Sequence, residues 1–256
     1  MERRLQMSMF ARSLLLQSCW NYEGMQNLGF LFGMDPLLRR VYPDREAYRS
    51  AALRHLGFFN THPYMVGFVL GAVGALEERR SGLPQEKRGA ADSRIEKVKS
   101  VLGAALAAIG DAFFWGALKP ACAAVTMLVW AALWTFDVPH PVFWGAFVYL
   151  ALYNAPALWV RWNGIRMGYA LQQRLPIVLK RLRWQQKARW VRRVGLASAA
   201  LAAAGALVVP PWGGTASLWS VGILAAALGL RACGIPTLKT YAAAAALGAG
   251  AALVGL

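Results

Sequence analysis

The sequence predicts an all-α integral membrane protein with an amphipathic N-terminal helix, re-entrant helical hairpins and several transmembrane helices. Of its 256 residues, 57% are hydrophobic and only 16% are charged. The charges are segregated, which leaves five apolar stretches of 16 to 19 residues: Ala121–Phe136, Val142–Val160, Val194–Val209, Trp212–Leu230 and Thr240–Leu256. Because about 20 residues cross a bilayer, flanking Trp, Arg and Lys side chains would complete each span. Five buried helices of a soluble protein would need a larger core than this length encloses.

The positions of the charges indicate how the chain is oriented. The net charge is +16, and ten Lys and Arg lie between Arg161 and Arg193, with no acidic residue after Asp137. Basic segments beside apolar spans stay in the cytoplasm and contact anionic lipid. We therefore expect two cytoplasmic loops, Glu77–Ser100 and Arg161–Arg193. A high isoelectric point is also typical of nucleic-acid-binding proteins. Membrane topology explains the positions of these charges better than nucleic-acid binding does.

The first part of the chain predicts short helices. Ser8–Leu38 has the pattern of one or more amphipathic helices at the membrane interface. A cleavable signal is not expected, because the early apolar run is short and no small-residue cleavage site follows. Asp44 is the predicted N-cap of a charged helix, Arg45–Phe59, which ends at Asn60-Thr61-His62-Pro63 because proline forbids its continuation.

Three further segments lead to the apolar second half. Tyr64–Leu76 has 13 residues with three glycines at close-packing intervals. It is too short to cross a bilayer and suits either one limb of a re-entrant hairpin or a short buried helix. Glu77–Ser100 is predicted as a solvent loop. Val101–Leu118 is apolar again, with Gly110-Asp111 at its centre, and ends at Lys119.

The polar segment within Ser13–Phe30 is the strongest candidate site. Amides, a carboxylate and aromatic rings stand here between apolar runs: Trp20, Asn21, Glu23, Gln26 and Asn27. Polar groups near hydrocarbon are unfavourable unless something binds them. Sugars select these side-chain types, since amides and acids bond to hydroxyls while rings cover C–H surface. The alternative is a polar seam that a partner helix or the backbone satisfies.

The histidines and the intramembrane acid leave alternatives open. His55 is expected to be a solvated or paired surface group, and His140 a loop residue. His62, at a helix–proline break, either caps backbone carbonyls or donates to a sugar hydroxyl. Asp111 either caps a broken helix, pairs with Lys119 or a partner, or contacts sugar during gating. Three scattered cysteines indicate neither disulfides nor a metal site: Cys19, Cys122 and Cys233.

Three blocks in order carry a family resemblance: LLLQSCWNYEGMQNLGF, then RHLGFFNTHPYMVGFVLGAVGALEE, then IEKVKSVLGAALAAIGDAFFWGALKP. They closely resemble the IID membrane subunit of mannose/fructose/sorbose-type phosphotransferase systems. The match is close over residues 1–120 and looser over residues 121–256, and we interpret residues 1–256 as a single IID domain. Gly24 departs from the family, in which a larger residue usually separates the Glu from the Met.

The resemblance implies a sugar-translocating subunit of a bacterial inner membrane. It implies a IIC partner, a trimer of IIC–IID pairs, a hexose or amino sugar, and phosphoryl transfer through His residues of cytoplasmic IIA and IIB subunits. The IID chain itself would carry no phosphohistidine, cofactor or metal. The expected substrate-binding residues are Trp20, Asn21, Glu23, Gln26, Asn27, Asn60 and His62, with structural or gating roles for Asp111 and Lys119.

Two other functions remain open. One is a membrane-embedded regulatory or assembly partner in a cell whose phosphotransferase set is incomplete, which a missing IIC and IIB neighbour would favour. The other is an unrelated small-solute channel. A channel needs rings of like residues around a pore, and nothing in the sequence repeats in that way.

Overall fold

A computed structural model describes residues 1–208, 222–223, 226 and 236–253 of the chain. All its regular elements in these ranges are helical, which confirms the predicted all-α class. They are α1 (Arg3–Ser13), α2 (Asn27–Val41), α3 (Arg45–Arg54), α4 (Val66–Ser81), α5 (Gln85–Gly110), a π-helix (Asp111–Leu118), α6 (Lys119–Thr135), α7 (Pro141–Leu171), a 3₁₀ turn (Gln172–Arg174), α8 (Leu175–Arg181), α9 (Trp184–Val208) and α10 (Thr237–Leu253). The predicted span Trp212–Leu230 lies almost wholly outside the described residues.

The chain divides into two compact units. The first joins Met1–Cys122 to Tyr149–Arg193, and the second joins Ala123–Val148 to Val194–Leu256. The first unit has a packed core in which Phe30, Met34 and Leu70 are fully buried. The second unit exposes large apolar side chains, among them Met127, Trp134, Phe136, Phe143 and Trp144. Such a surface needs an apolar environment to cover it.

Helix α4 is a buried helix, and glycines bring it against α7. A Cβ added at Gly67 would lie 2.2 Å from the Arg161 carbonyl oxygen, and one added at Gly71 would lie 2.0 Å from that of Ile165. On the facing helix, a Cβ at Gly168 would lie 2.1 Å from the Phe68 oxygen. Small residues on both helices therefore permit backbone contact, which is the close packing that the glycine spacing predicts.

The predicted solvent loop Glu77–Ser100 is wrong. Helix α4 continues to Ser81, and α5 begins at Gln85 after a short turn. The two helices pair through charges, since Arg80 Nη2 donates to Asp92 Oδ2 at 3.0 Å. The mixed charge of this segment therefore holds two helices together, which low hydrophobicity alone could not reveal.

The basic segment Arg161–Arg193 is also not a loop, because it covers the end of α7, the 3₁₀ turn, α8 and the start of α9. Within the described ranges, two helical stretches are long and apolar enough to cross a membrane, Gln85–Thr135 and Pro141–Leu171. The first stretch consists of α5, the π-helix and α6.

Candidate functional site

Two polar segments that are distant in sequence meet in one place. Residues Asn21 and Met25 close a tight loop with reciprocal backbone hydrogen bonds of 3.2 and 2.9 Å. The loop is fixed to a second segment, because Gln26 N donates to Phe59 O at 2.8 Å and Phe59 N donates to Gly24 O at 3.2 Å. The candidate residues Asn21–Asn27 therefore lie beside the candidate residues Asn60 and His62.

Gln26 and Asn27 hold this arrangement, and with their backbone partners we call them the amide clasp. Gln26, only 3% exposed, donates from Nε2 to Thr61 O at 2.9 Å and accepts from Thr61 N at 3.0 Å. Asn27 Nδ2 donates to Leu56 O at 2.6 Å, and its Oδ1 accepts from Leu28 N at 2.7 Å. The amides of these two residues are thus bonded to backbone groups of the same chain, as in the alternative of a polar seam that the backbone satisfies.

The other candidates around the loop differ in whether their polar groups are available. The Asn21 amide is occupied, since its Nδ2 donates to Asn27 Oδ1 at 3.3 Å and its Oδ1 accepts from Gly24 N at 2.7 Å. Trp20 is 41% exposed, and its ring meets that of Tyr22 edge-on at 4.9 Å. Glu23 is exposed and Asn60 is half-buried. In the described part of the chain, neither the Glu23 carboxylate nor the Asn60 amide makes a hydrogen bond or ion pair. A carboxylate, an amide and two aromatic rings therefore surround the clasp, which suits a ligand with both hydroxyl and C–H surface.

His62 is buried against the junction of α5 and the π-helix. A Cβ added at Gly110 would lie 2.3 Å from the His62 ring, so only glycine permits this contact. The imidazole stacks on Phe114 at 5.1 Å and lies 4.7 Å from the Trp115 ring. Its Nδ1 accepts from Tyr64 N at 3.3 Å, so it does not cap a backbone carbonyl through that atom.

The protonation of His62 follows from these surroundings. Burial, and then the positive charge of Arg161, lower the pKa of His62 to about 4. The ring is therefore neutral at pH 7. Because Nδ1 accepts, the proton is assigned to Nε2, which is buried and has no partner among the described residues. His62 thus provides one unused hydrogen-bond donor.

Arg161 of α7 binds backbone groups of the candidate site. It was not predicted as a site residue. It is 5% exposed, and its guanidinium donates to Ser13 O at 3.1 Å and to Pro63 O at 2.7 Å. It therefore joins the end of α1 to the turn that carries His62. The sequence did hold a signal, since an arginine directly after the apolar run Val142–Val160 is a functional candidate by default.

The remaining candidates, Asp111 and Lys119, lie at the two ends of the π-helix. Asp111 begins the π-helix and Lys119 follows its end. The predicted helix cap is wrong, because the backbone stays helical through Asp111 and its side chain makes no capping bond. Both side chains are exposed, and they form no ion pair with each other. The π-helix itself is informative, since such segments recur at functional sites, and this one supplies Phe114 and Trp115 to His62.

Residues 1–197 match the profile of the PTS system mannose/fructose/sorbose family IID component. The chain belongs to this family. Among relatives of the IID chain, the mannose-specific EIID component of Escherichia coli K12 is 39% identical over 162 residues, which are 63% of this chain and 53% of that protein. The sorbose-specific EIID component of Klebsiella pneumoniae is 35% identical over 164 residues, 63% of this chain and 55% of that protein. The family predicted from the three blocks is confirmed.

Solved structures resemble the whole IID chain. One, described as a membrane protein, has a TM-score of 0.72 and 26% identity, covering 100% of this chain and 98% of the other. A cryo-electron microscopy structure of the mannose transporter ManYZ with microcin E492 has a TM-score of 0.56 and 25% identity, with the same coverage. The chain spans about half the length of the curated relatives it matches.

A second buried polar group in this IID chain was not predicted, and we call it the ionic cluster. Glu77 has no exposed side-chain surface, and it accepts from Arg54 Nε and Nη2 at 3.0 Å each and from Tyr42 at 2.7 Å. His55 Nε2 lies 3.0 Å from the same carboxylate. His55 was expected to be a solvated or paired surface group. It is paired with Glu77, but the expected surface position is wrong because the side chain is fully buried.

The ionic cluster keeps its charges through hydrogen bonds. Burial alone would raise the pKa of Glu77, but bonds from His55 and Arg54 lower that pKa to about 2. Burial also lowers the pKa of His55, so its ring is neutral and donates to the carboxylate. The sequence offered one clue, since Glu77 directly follows the apolar, glycine-rich part of α4.

Proposed function

We propose that this IID component translocates a hexose or amino sugar across a bacterial inner membrane together with a IIC subunit. A cytoplasmic IIB subunit, charged by IIA, would phosphorylate the sugar as it emerges. The observation that carries the proposal is the set of unused polar groups beside the amide clasp in a chain of the IID family. The mannose- and sorbose-specific names of the relatives are in keeping with this substrate class.

The available groups match the surface of a sugar. Glu23 accepts hydrogen bonds from ring hydroxyls, while the half-buried amide of Asn60 both donates and accepts. Asn21 is a positioning residue, because its amide is bonded to Asn27 and to the Gly24 backbone. Trp20 offers a ring face to C–H surface. Gln26 and Asn27 act as positioning residues, because their amides are occupied by the backbone.

His62 takes part as a donor and not as a phosphoryl carrier. Its unused Nε2 lies among Phe114, Trp115 and Tyr64, where a sugar hydroxyl can replace the missing acceptor after a small side-chain movement. A phosphoryl donor needs an exposed ring nitrogen, whereas His62 and His55 are both buried. Burial therefore argues against phosphorylation of His62 and His55, whereas His140 is exposed. We propose, as the family resemblance implies, that the soluble IIA and IIB subunits carry the phosphoryl group.

We propose a trimer of IIC–IID pairs, which the family resemblance implies. The exposed apolar side chains of the second unit are in keeping with contact to lipid or to a IIC subunit. The charged ends of α4 and α5 and the basic residues 161–193 would face the cytoplasm. Asp111 and Lys119, both exposed, would contact the IIC subunit during gating.

Uptake measurements test the proposal. The chain would be expressed with the IIC, IIB and IIA subunits of the same genome, in a host that lacks its own mannose-type membrane subunits. We expect labelled hexose or amino sugar to accumulate as its phosphate only when both membrane subunits are present. Glu23→Gln should reduce uptake roughly 2- to 10-fold, as the loss of about 0.5–1.5 kcal/mol, the net contribution of one hydrogen bond, predicts. The exposed Glu86→Gln should leave uptake unchanged.

Two outcomes would contradict the proposal. A stable IIC–IID complex that moves no sugar would favour the regulatory or assembly role. Transport by the IID chain in liposomes without IIC would show that the site is not shared between the two subunits.

A further inference from the structure

A groove separate from the polar site lies between the π-helix and α9. It has a volume of about 430 Å³ and is lined by Phe113, Gln186, Lys187, Trp190 and Val191. Its walls are mainly aromatic and aliphatic, and Trp190 is 66% exposed. The groove contains none of the residues assigned to the sugar, so it needs an explanation of its own.

A further aromatic ring lies behind one wall of the groove. The Trp184 ring meets the ring of Phe113, which lines the groove, edge-on at 5.1 Å. This contact extends the aromatic surface around Phe113 and fixes the orientation of its ring.

Two cations lie at or beside the groove wall that Gln186 and Lys187 form. The Lys187 ammonium lies 5.3 Å from the centroid of the Trp184 ring, and an Arg183 guanidinium nitrogen lies 3.5 Å from Gln186 Oε1. Neither cation forms an ion pair in the described part of the chain. No acidic residue follows Asp137 in the sequence, so α8 and α9 carry no carboxylate to neutralise them.

We propose that this groove binds an anionic phospholipid. The acyl chain lies along Phe113, Trp190 and Val191, and the headgroup phosphate contacts Lys187 and Arg183. An apolar groove with cations beside one wall matches an amphipathic anion, and exposed tryptophan is typical of the membrane interface. A sugar fits poorly, because aliphatic walls leave its hydroxyls without partners.

Native mass spectrometry of the full-length chain, purified with its IIC subunit in detergent, tests the proposal. The probes are dioleoyl phosphatidylglycerol and dioleoyl phosphatidylcholine, which have the same acyl chains. We expect phosphatidylglycerol to remain preferentially on the IID chain after gas-phase dissociation of the complex. Lys187→Gln should weaken its binding about fivefold, the change equivalent to about 1 kcal/mol for one cation near an anionic lipid.

Two further variants separate the groove from general charge effects. Val191→Trp fills the groove and should remove phosphatidylglycerol while Lys187 is kept. Arg94→Gln removes an exposed cation of α5 and should leave lipid binding unchanged. Equal retention of the two lipids, or unaltered binding by both groove variants, overturns the proposal. If both variants instead reduce co-purification of IIC without changing lipid binding, the groove is a subunit contact. The measurement uses no sugar, so its result is independent of the transport function.

Discussion

The amide clasp and the ionic cluster are both buried and polar, but they use their hydrogen bonds differently. In the clasp, neutral amides of Gln26 and Asn27 bind backbone groups of a neighbouring segment. In the ionic cluster, the Glu77 carboxylate is surrounded by the side chains of Arg54, His55 and Tyr42. The clasp sets the shape of a loop, whereas the cluster ties whole helices together.

The difference shows where ligand chemistry is available. Both oxygens of Glu77 are occupied by donors of the same chain, so this carboxylate has nothing left to offer a substrate, and the unpaired Nδ1 of His55 is buried beside it. Beside the clasp, Glu23, Asn60 and the Nε2 of His62 have no partner among the described residues. Burial and polarity alone therefore do not identify the site, whereas unpaired polar groups that reach the surface, such as Glu23 and Asn60, point to it.

Removal of Glu77 should have the largest effect on stability. Glu77→Ala leaves the Arg54 charge buried without its main partner, which typically costs about 3–5 kcal/mol. The exposed Glu86→Ala should change stability by less than about 0.5 kcal/mol. Denaturation of the purified IIC–IID complex in detergent measures both. Similar stability of the two variants would show that the cluster does not hold these helices together.

The Glu77 carboxylate also makes the stability of the protein depend on pH. Because folding lowers the pKa of Glu77 from 4.5 to about 2, the unfolded state binds a proton first as the pH falls. The stabilisation is therefore complete above pH 4.5 and is lost as the pH falls toward 2. The Glu77→Ala variant should lose less stability than the wild type over this range.

Loss of the amide clasp should have the next largest effect. Gln26→Ala leaves the Thr61 N–H and C=O groups buried without partners. Each unpaired group should lower the free energy of unfolding by about 1–3 kcal/mol. Gln17→Ala, at an exposed position of the same block, is the matched control and should be nearly neutral. Since the clasp also positions the site, uptake should fall with Gln26→Ala. Unchanged stability and uptake would mean that the Gln26–Thr61 bonds do not position the loop.

A pair of glycines in α5 tests the contact that seats His62. A methyl group at Gly110 overlaps the imidazole, whereas one at Gly89 meets nothing within 4 Å. Gly110→Ala should therefore destabilise by about 1–3 kcal/mol through overpacking and displace His62. Gly89→Ala should be neutral or stabilise by up to about 1 kcal/mol, because alanine favours helix. Equal effects of the two substitutions on stability would show that the close contact between Gly110 and His62 does not hold His62 in place.

The sequence predicted which residues form the candidate site better than it predicted their hydrogen-bond partners. The density of polar groups from Trp20 to Asn27 was visible because their neighbours are apolar. The partners of Gln26 and Asn27 were not, since they are backbone atoms of Leu56 and Thr61, about 30 positions away, and no side-chain pattern records a backbone contact.

The helices show the same limit. Glycine spacing revealed the packing face of α4, because close approach requires small residues. Charge density suggested a loop at 77–100, yet Arg80 and Asp92 are paired between two helices. The π-helix had no recognisable signal, because an extra residue in one turn leaves the apolar composition unchanged. The sequence could therefore show that a helix has a close-packing face, but it could not show which segment packs against that face.

Thermal stabilisation of the IIC–IID complex by sugar tests most directly whether the unused groups bind substrate. Hexoses and amino sugars would be added to the wild type and to Glu23→Gln, and the midpoint of unfolding measured with and without each sugar. We predict that at least one sugar raises the wild-type midpoint. Glu23→Gln should unfold at the wild-type temperature without sugar and gain little or nothing from that sugar, since its carboxylate bonds to no other residue of the described chain. Equal stabilisation of both proteins by the same sugar would contradict the assignment of Glu23 and its neighbours to the sugar pathway.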